Sequence, residues 1–338
     1  MLLCILPVRS RIEGVLIMKT EQKILEMLKE KPEDFVSGED ISEALNISRT
    51  MVWKHINALR DCGYTIESVT GKGYMLKGIP DLLLPAEIEK GLKTEFVGRQ
   101  IHHFDELDST NLRARKIAAD SPNGTVVIAE EQFEGKGRTG GAWASPPGGI
   151  YLSIILKPDI PPDQLHRLTL VTGVAAVETL NELGLNAEIK WPNDILINEK
   201  KVCGILTEID AEADAMNYVI IGIGVNANTK LDALPPITML QATSLKEETG
   251  QVVDRIAITQ RFLERFEQYY VTFLTDGFPS VLKQWREYSS TIGRRVKIVT
   301  RFRTILGEAV GVDHDGALIV ELDDGTVEKE ITGTCFHL

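Results

Sequence analysis

The spacing of apolar residues changes character twice along this chain, which excludes any single repeated architecture. From Thr20, the residues Ile24, Leu25 and Leu28 fall at helical intervals, with Thr20 as N-cap and Pro32 as the stop. A short second helix is expected over 38–45 with Ile41, Ala44 and Leu45 on one face; Asn46 then supplies the left-handed conformation of a tight helix–helix turn. Ser48 caps a third helix that buries Val52, Ile56 and Leu59. Strands over 64–68 and 74–76, joined around Gly71-Lys72-Gly73, close the segment as a hairpin. Helix, helix, turn, helix, hairpin is the order of a winged helix-turn-helix.

Pro80 and Pro85 mark a linker or domain entry, after which strands and helices alternate as far as a long helix over 253–273. From Gly293 the pattern becomes short β runs separated by turns such as Asp315-Gly316 and Asp324-Gly325, as in a small barrel. The chain, with 338 residues, is long enough for these three parts.

The net charge of −12 argues against nucleic-acid contact over the whole surface. Residues 1–80 nevertheless carry eleven basic and eleven acidic side chains, so the deficit falls after Pro80. Beginning at Ser48, the third helix turns Arg49, Thr50, Trp53, Lys54 and Asn57 outward, with Arg60 near its end, a set able to meet phosphates and base edges. A merely solvated face is the competing account. Four scattered cysteines, none in a CxxC pair, suggest neither disulfides nor a thiolate metal site and fit a reducing compartment. The apolar run over 1–8 is too short to cross a bilayer, and residues 1–17, ahead of Met18, are expected to be a disordered extension.

Chemistry concentrates in four places. Glycines 135, 137, 140 and 141 let the backbone approach a ligand, with Lys136 and Arg138 as cations at the rim and Trp143 just beyond. The spacing also fits a dinucleotide fingerprint, but that motif needs a helix opening at the loop, and Pro146, Pro147, Gly148 and Gly149 follow instead. Lys190-Trp191-Pro192-Asn193-Asp194 is ordinary turn chemistry between strands, whereas Lys201, ahead of Gly204 and an apolar strand ending at Glu208, suits the edge of a pocket. Asp108-Ser109-Thr110-Asn111 opens a helix, where these heads either cap it or bind a ligand. Ile221-Gly222-Ile223-Gly224-Val225-Asn226 is a buried strand whose glycines permit close approach and whose end is polar.

These blocks, at 108–111, 130–140, 190–194, 201–206 and 221–226, resemble in order and spacing a biotin protein ligase, and the winged helix makes the chain similar to the bifunctional group that also represses biotin genes. The resemblance implies an α+β fold: a winged helix-turn-helix over 18–80, a central mixed-sheet α/β catalytic domain similar to class II aminoacyl-tRNA synthetases over 81–290, and a small SH3-like β-barrel over 291–338. It implies a cytoplasmic enzyme that joins biotin to ATP as biotinyl-5'-AMP, with Mg²⁺, and passes biotin to a lysine of a carboxyl carrier domain. Operator DNA and a homodimer formed with the adenylate are implied as partners, and no membrane. By residue, it implies Lys201 and Arg138 as catalytic; Ser109, Thr110, Asn111, Gln132, Lys136, Gly137, Arg138, Lys201 and Gly204 at biotin; and Lys136, Arg138, Trp143, Asn193, Lys201 and Asn226 at ATP and the adenylate. Ser48, Arg49, Thr50, Trp53, Lys54 and Asn57 are implied at DNA, and no residue as a dedicated metal ligand. Many relatives carry arginines where this chain has Lys136 and Gly141. A biotin-sensing transcription factor without ligase activity and a lipoate ligase remain as alternatives.

Overall fold

The structure, a computed structural model, describes residues 19–212 and 215–338. The expected extension over 1–17 lies outside them. The chain divides into two compact units, with the boundary between Leu82 and Leu83.

The first unit runs α1 (Lys19–Lys29), α2 (Gly38–Leu45), α3 (Arg49–Asp61), β1 (Thr65–Val69) and β2 (Gly73–Gly78). Ser37 and Ser48 cap α2 and α3 through Glu39 N and Met51 N, and Asn46, at φ +51°, ends α2 in the left-handed region. Thr20 lies inside the first turn of α1 rather than ahead of it. Ile24, Leu25, Leu28, Ile41, Val52, Ile56 and Leu59 make the core, whereas Ala44, expected on the buried face of α2, is exposed. β1 and β2 form the antiparallel wing, which reverses through Gly71 at φ +82°.

The second unit begins with α4 (Pro85–Gly91), a helix where only an entry segment was expected, then β3 (Ile101–Leu107), α5 (Thr110–Ile117), β4 (Thr125–Gln132), β5 (Ile150–Leu156) and α6 (Arg167–Asn181). There follow β6 (Ala187–Lys190), β7 (Asp194–Ile197), β8 (Lys200–Glu212), β9 (Ala215–Val225), α7 (Pro236–Gln241), α8 (Leu245–Thr249), α9 (Arg255–Asp276) and α10 (Phe278–Glu287). The sheet is mixed: its order is β3-β4-β5-β9-β8-β7-β6, and the β3–β4 pair alone is parallel among the described ladders. One face packs on α6 and α9, where Leu152, Ile154, Ile221 and Ile223 meet Leu168, Val171, Phe262 and Phe266 in the main core. α5 covers part of the other face with a small cluster of Ala114, Ala118, Val127, Ile155 and Ile220. That face, left uncovered beyond α5, holds the site.

The C-terminal strands are β10 (Arg295–Val299), β11 (Thr304–Val312), β12 (Leu318–Leu322), β13 (Val327–Glu330) and β14 (Thr334–His337). They form an antiparallel five-stranded sheet in the order β13-β12-β11-β10-β14. Its apolar residues Val296, Ile298, Leu318 and Val320 join the main core.

Candidate active site

Alternation along β9 builds the floor of the site. Ile221, Ile223 and Val225 point into the main core, which leaves Gly222 and Gly224 on the opposite face. Gly224 pairs with Gly204 of β8, and Gly222 pairs with Ser153 of β5. The missing side chains make room for others. A Cβ at Gly222 would lie 2.2 Å from Asn111 Oδ1, one at Gly224 2.4 Å from Trp143 Nε1, and one at Gly204 2.9 Å from Trp143 Cζ3. In this strand glycine is selected for close approach rather than for an unusual φ.

One end of the floor is polar and uncharged at its surface. Ser109 holds the N-cap position of α5, yet its hydroxyl makes no capping bond, and the residue lines the cleft. Thr110 N donates to Gln132 Oε1 at 2.8 Å, and Gln132 Nε2 donates to Ser145 Oγ at 2.7 Å. The buried Ser153 hydroxyl bridges Asn111 Oδ1 at 2.6 Å and Thr110 Oγ1 at 2.8 Å, while Asn111 Nδ2 donates to Glu208 Oε2 at 2.7 Å. Every one of these amides is held in one orientation by its neighbours.

The other end is cationic. Lys201 Nζ lies 2.6 Å from Asp194 Oδ1 and 5.1 Å from the centre of the Trp143 ring. Arg138 donates to Asn193 Oδ1 at 2.9 Å, to Thr332 Oγ1 at 2.9 Å and to Gly333 O at 3.2 Å, so a turn of the C-terminal sheet holds it. Burial pushes the Arg138 guanidinium below its ordinary pKa, and the charge of Asp194 opposes that shift. Burial also drives the Cys203 thiol far upward, which makes it an inert packing group beside the cations.

The glycine loop leaves β4 and returns as a narrow excursion, bridged at Gln132–Ser145 and Lys136–Ala142. A single 3₁₀ turn over Arg138–Gly140 is the only helical element in it, so no helix N-terminus is offered to a pyrophosphate and the dinucleotide fingerprint fails. Behind the loop, Arg255 donates to Glu130 Oε2 at 2.9 Å and to Gly149 O at 2.7 Å, which ties the end of the loop to α9. Burial raises the Glu130 carboxyl, but the His103 hydrogen bond and the Arg255 charge outweigh it and hold it below the usual range.

Two cavities meet here. The smaller, of about 50 Å³, is lined by Ser109, Thr110, Asn111, Gln132, Lys136, Gly137, Arg138, Trp143, Asn193, Lys201 and Gly204 together with Gly222 and Gly224. The larger, of about 720 Å³, is shared by Arg138, Trp143, Asn193, Lys201 and Asn226 with residues of α7 and β14. Lys136 is exposed at the rim. Buried Asn226 donates to Thr243 O, which leaves Oδ1 without a partner, and Trp143 Nε1 is also buried and unpaired. The turn Trp191–Asn193 between β6 and β7 is thus both a hairpin and a cavity wall. Ser145, Ser153, Glu208, Thr332 and Gly333 were missed from sequence because each acts through a partner distant along the chain.

On the first unit, Ser48, Arg49, Thr50, Trp53 and Lys54 are exposed on α3, with Trp53 at 55%. Asn57 is half-buried and accepts from Arg60, whose guanidinium turns onto the wing at Ile66 O and Ser68 Oγ. These two residues therefore brace the wing as well as bordering the face.

Three family models match: an HTH domain over 20–75, the Biotin/lipoate A/B protein ligase family over 104–226, and the Biotin protein ligase C terminal domain over 291–338. The chain is 42% identical over 305 residues to the bifunctional ligase/repressor BirA of Bacillus subtilis, covering 89% of this chain and 94% of that protein. It is 32% identical over 302 residues to its namesake in Escherichia coli, covering 89% and 92%. Among solved structures, a biotin protein ligase from Aquifex aeolicus in complex with biotin and ATP superposes with a TM-score of 0.63 at 29% identity, covering 71% of this chain and 99% of that one. With a glycine floor, a fixed polar end and two cations already in one cleft, these likenesses place the chain in the family of bifunctional biotin protein ligases and repressors.

Proposed function

We propose that the chain is an ATP-dependent biotin protein ligase that forms biotinyl-5'-AMP, transfers biotin to a lysine of a carboxyl carrier domain, and represses biotin genes by binding operator DNA. The observation that carries this is the placement of Arg138 and Lys201 beside one cavity whose far end is neutral and hydrogen-bonding. A biotin carboxylate and an ATP phosphate repel each other as they approach, so fixed cations at their meeting point stabilise the transition state more than the ground state. Lys201 faces that point with a mobile ammonium and Arg138 with a fork suited to phosphate or carboxylate. In the first step a carboxylate oxygen bonds to the α-phosphorus and pyrophosphate leaves. In the second, a carrier lysine amine attacks the acyl carbon and AMP leaves with loss of a proton.

The ureido ring of biotin matches Ser109, Thr110, Asn111 and Gln132, hydroxyls and amides that together offer donors and acceptors, with Lys136, Gly137 and Gly204 along the slot. The unpaired Asn226 Oδ1 and the face of Trp143 suit an adenine, with Asn193 between them and the phosphates. The carboxylates lining the larger cavity among the described residues are Asp194 and Glu199; Arg294 engages Glu199 in a bidentate pair. That supply suits a Mg²⁺ held mainly by phosphate oxygens and water, with Asp194 as an outer-sphere partner only. The α3 face, with exposed Ser48, Arg49, Thr50, Trp53 and Lys54 and half-buried Asn57, is the proposed DNA contact, and a homodimer formed with the adenylate would present two such helices. We also take 18–80, 81–290 and 291–338 as the domains, the central sheet as the class II synthetase kind, and the C-terminal sheet as the small SH3-like barrel. A cytoplasmic location accords with the absence, among the described residues, of a helix long and apolar enough to cross a membrane.

The test is incubation with ATP, Mg²⁺, biotin and a carrier domain, following pyrophosphate and the labelled lysine. No transfer at high enzyme concentration refutes the ligase. Biotin binding without pyrophosphate release favours a sensor, and turnover with lipoate in place of biotin favours the other ligase.

A further inference from the structure

We propose that Glu208, together with Ser153, is a positioning residue that fixes the orientation of the Asn111 carboxamide and so makes the slot select a ligand with both hydrogen-bond donors and an acceptor, such as a cyclic urea. The proposal rests on the assignment of the polar end to biotin. Neither residue lines the cavity; each reaches it through Asn111, which does.

The two ends of a carboxamide are nearly equal in size, so only its hydrogen-bond partners decide which way it faces. An ionised carboxylate can only accept. Glu208 Oε2 therefore takes an N–H of Asn111 at 2.7 Å, while the other Glu208 oxygen is occupied by Arg115 Nη2 at 2.6 Å. From the opposite side the Ser153 hydroxyl donates to Asn111 Oδ1 at 2.6 Å. Ser153 is wholly buried and Asn111 is 3% exposed, so solvent cannot replace the serine contact, whereas Glu208, with its side chain 22% exposed, brings a fixed carboxylate to the amide from the solvent side. The register explains the arrangement: Ser153 and Leu206 flank Gly222 on the neighbouring strands, and the amide lies in the gap left by that glycine, reaching Glu208 two residues beyond Leu206. With its polarity fixed, Asn111 spends its second amide proton only on a long contact to Leu206 O at 3.5 Å and keeps a lone pair on Oδ1 for a ligand donor. A ring with neither N–H nor oxygen, such as a dithiolane, would bury that lone pair unpaired and offer the weakly held proton no better acceptor, a penalty that apolar contact does not recover.

The experiment titrates biotin into the full chain and its variants by calorimetry, and measures the KM for ATP by pyrophosphate release at saturating biotin. Glu208→Ala is expected to weaken biotin by about tenfold or more, the scale of one lost hydrogen bond to a charged group. The KM for ATP should stay within about twofold, and Glu208→Gln, which can still accept, should recover most of the affinity. In an Asn111→Ala background, Glu208→Ala should add almost nothing, because its effect passes through that amide. Unchanged biotin affinity in Glu208→Ala overturns the proposal, as do additive losses in the double variant. Parallel losses for biotin and ATP with a lower melting temperature assign Glu208 a purely structural role and also overturn it. If the unsubstituted chain binds no biotin, the functional assignment itself fails and takes this proposal with it.

Discussion

The cleft of the second unit and the α3 face of the first hold their polar residues in opposite ways. In the cleft, Thr110, Asn111 and Asn226 are buried, and protein partners fix them before any ligand arrives. On α3, Arg49 and Lys54 stand in solvent, with no hydrogen bond or ion pair described for either. The first arrangement excludes water and makes each contact expensive to misplace. The second suits phosphates, whose attraction is long-ranged and tolerant of geometry. Substitutions should therefore act steeply and selectively in the cleft and gently and additively on α3.

The largest effect is expected where charge develops in the reaction. Lys201→Ala, or Arg138→Ala, should lower pyrophosphate release by roughly 10²–10³, about 2.7–4 kcal/mol, as when an oxyanion donor is lost, with the circular-dichroism melt little changed. Wild-type rates in both variants would remove the catalytic assignment. Next comes the floor. Gly222→Ala puts a methyl 2.2 Å from Asn111 Oδ1, so the amide must move, at a cost of about 1–3 kcal/mol for an overpacked site. Biotin affinity should fall along with stability; retained affinity would show that the amide does not touch the ligand.

How much of this was legible from sequence follows the same division. Caps, turns and alternation are local, and Ser48, Asn46 and the alternation of Ile221 to Val225 led to the elements they form. The glycine pattern marked the floor because only absent side chains allow such approach. What the sequence did not disclose is the rear row of the site: Ser153 is an ordinary strand serine, and Glu208 ends an apolar run, until the sheet brings both to Asn111. Residues 278–287 were missed as well, although Val281, Leu282 and Trp285 carry a helical period, because the preceding long helix and Gly277-Phe278-Pro279 mask its start.

On α3 the expected change is smaller. Arg49→Ala, or Lys54→Ala, should weaken operator binding at every salt concentration and reduce the slope of log K against log salt by about one, since each removes about one phosphate contact. Filter binding across a salt series measures this, with pyrophosphate release as the control on the other unit. An unchanged slope in both variants would make the face merely solvated, and the contrast between the two regions would lose its functional meaning.

The mildest test concerns His337, which lines the larger cavity and lies between the two extremes in exposure. Burial, with the charges of Lys190 and Arg294, pushes its pKa from the ordinary 6.5 down to about 4, against an opposing pull from Glu199. Its Nε2 lies 3.0 Å from Thr291 Oγ1, which in turn accepts from Trp191 N at 3.0 Å, so the neutral ring is part of a chain leading to the cavity wall. Because the folded state favours the neutral ring, the unfolded chain binds the proton first as pH falls. The stabilising contribution is complete above 6.5 and is lost progressively toward 4. His337→Gln should therefore flatten the decline of melting temperature over that interval while leaving the neutral-pH value nearly unchanged, and parallel melting curves for the two proteins would show that the ring titrates freely and is not held by the cavity wall.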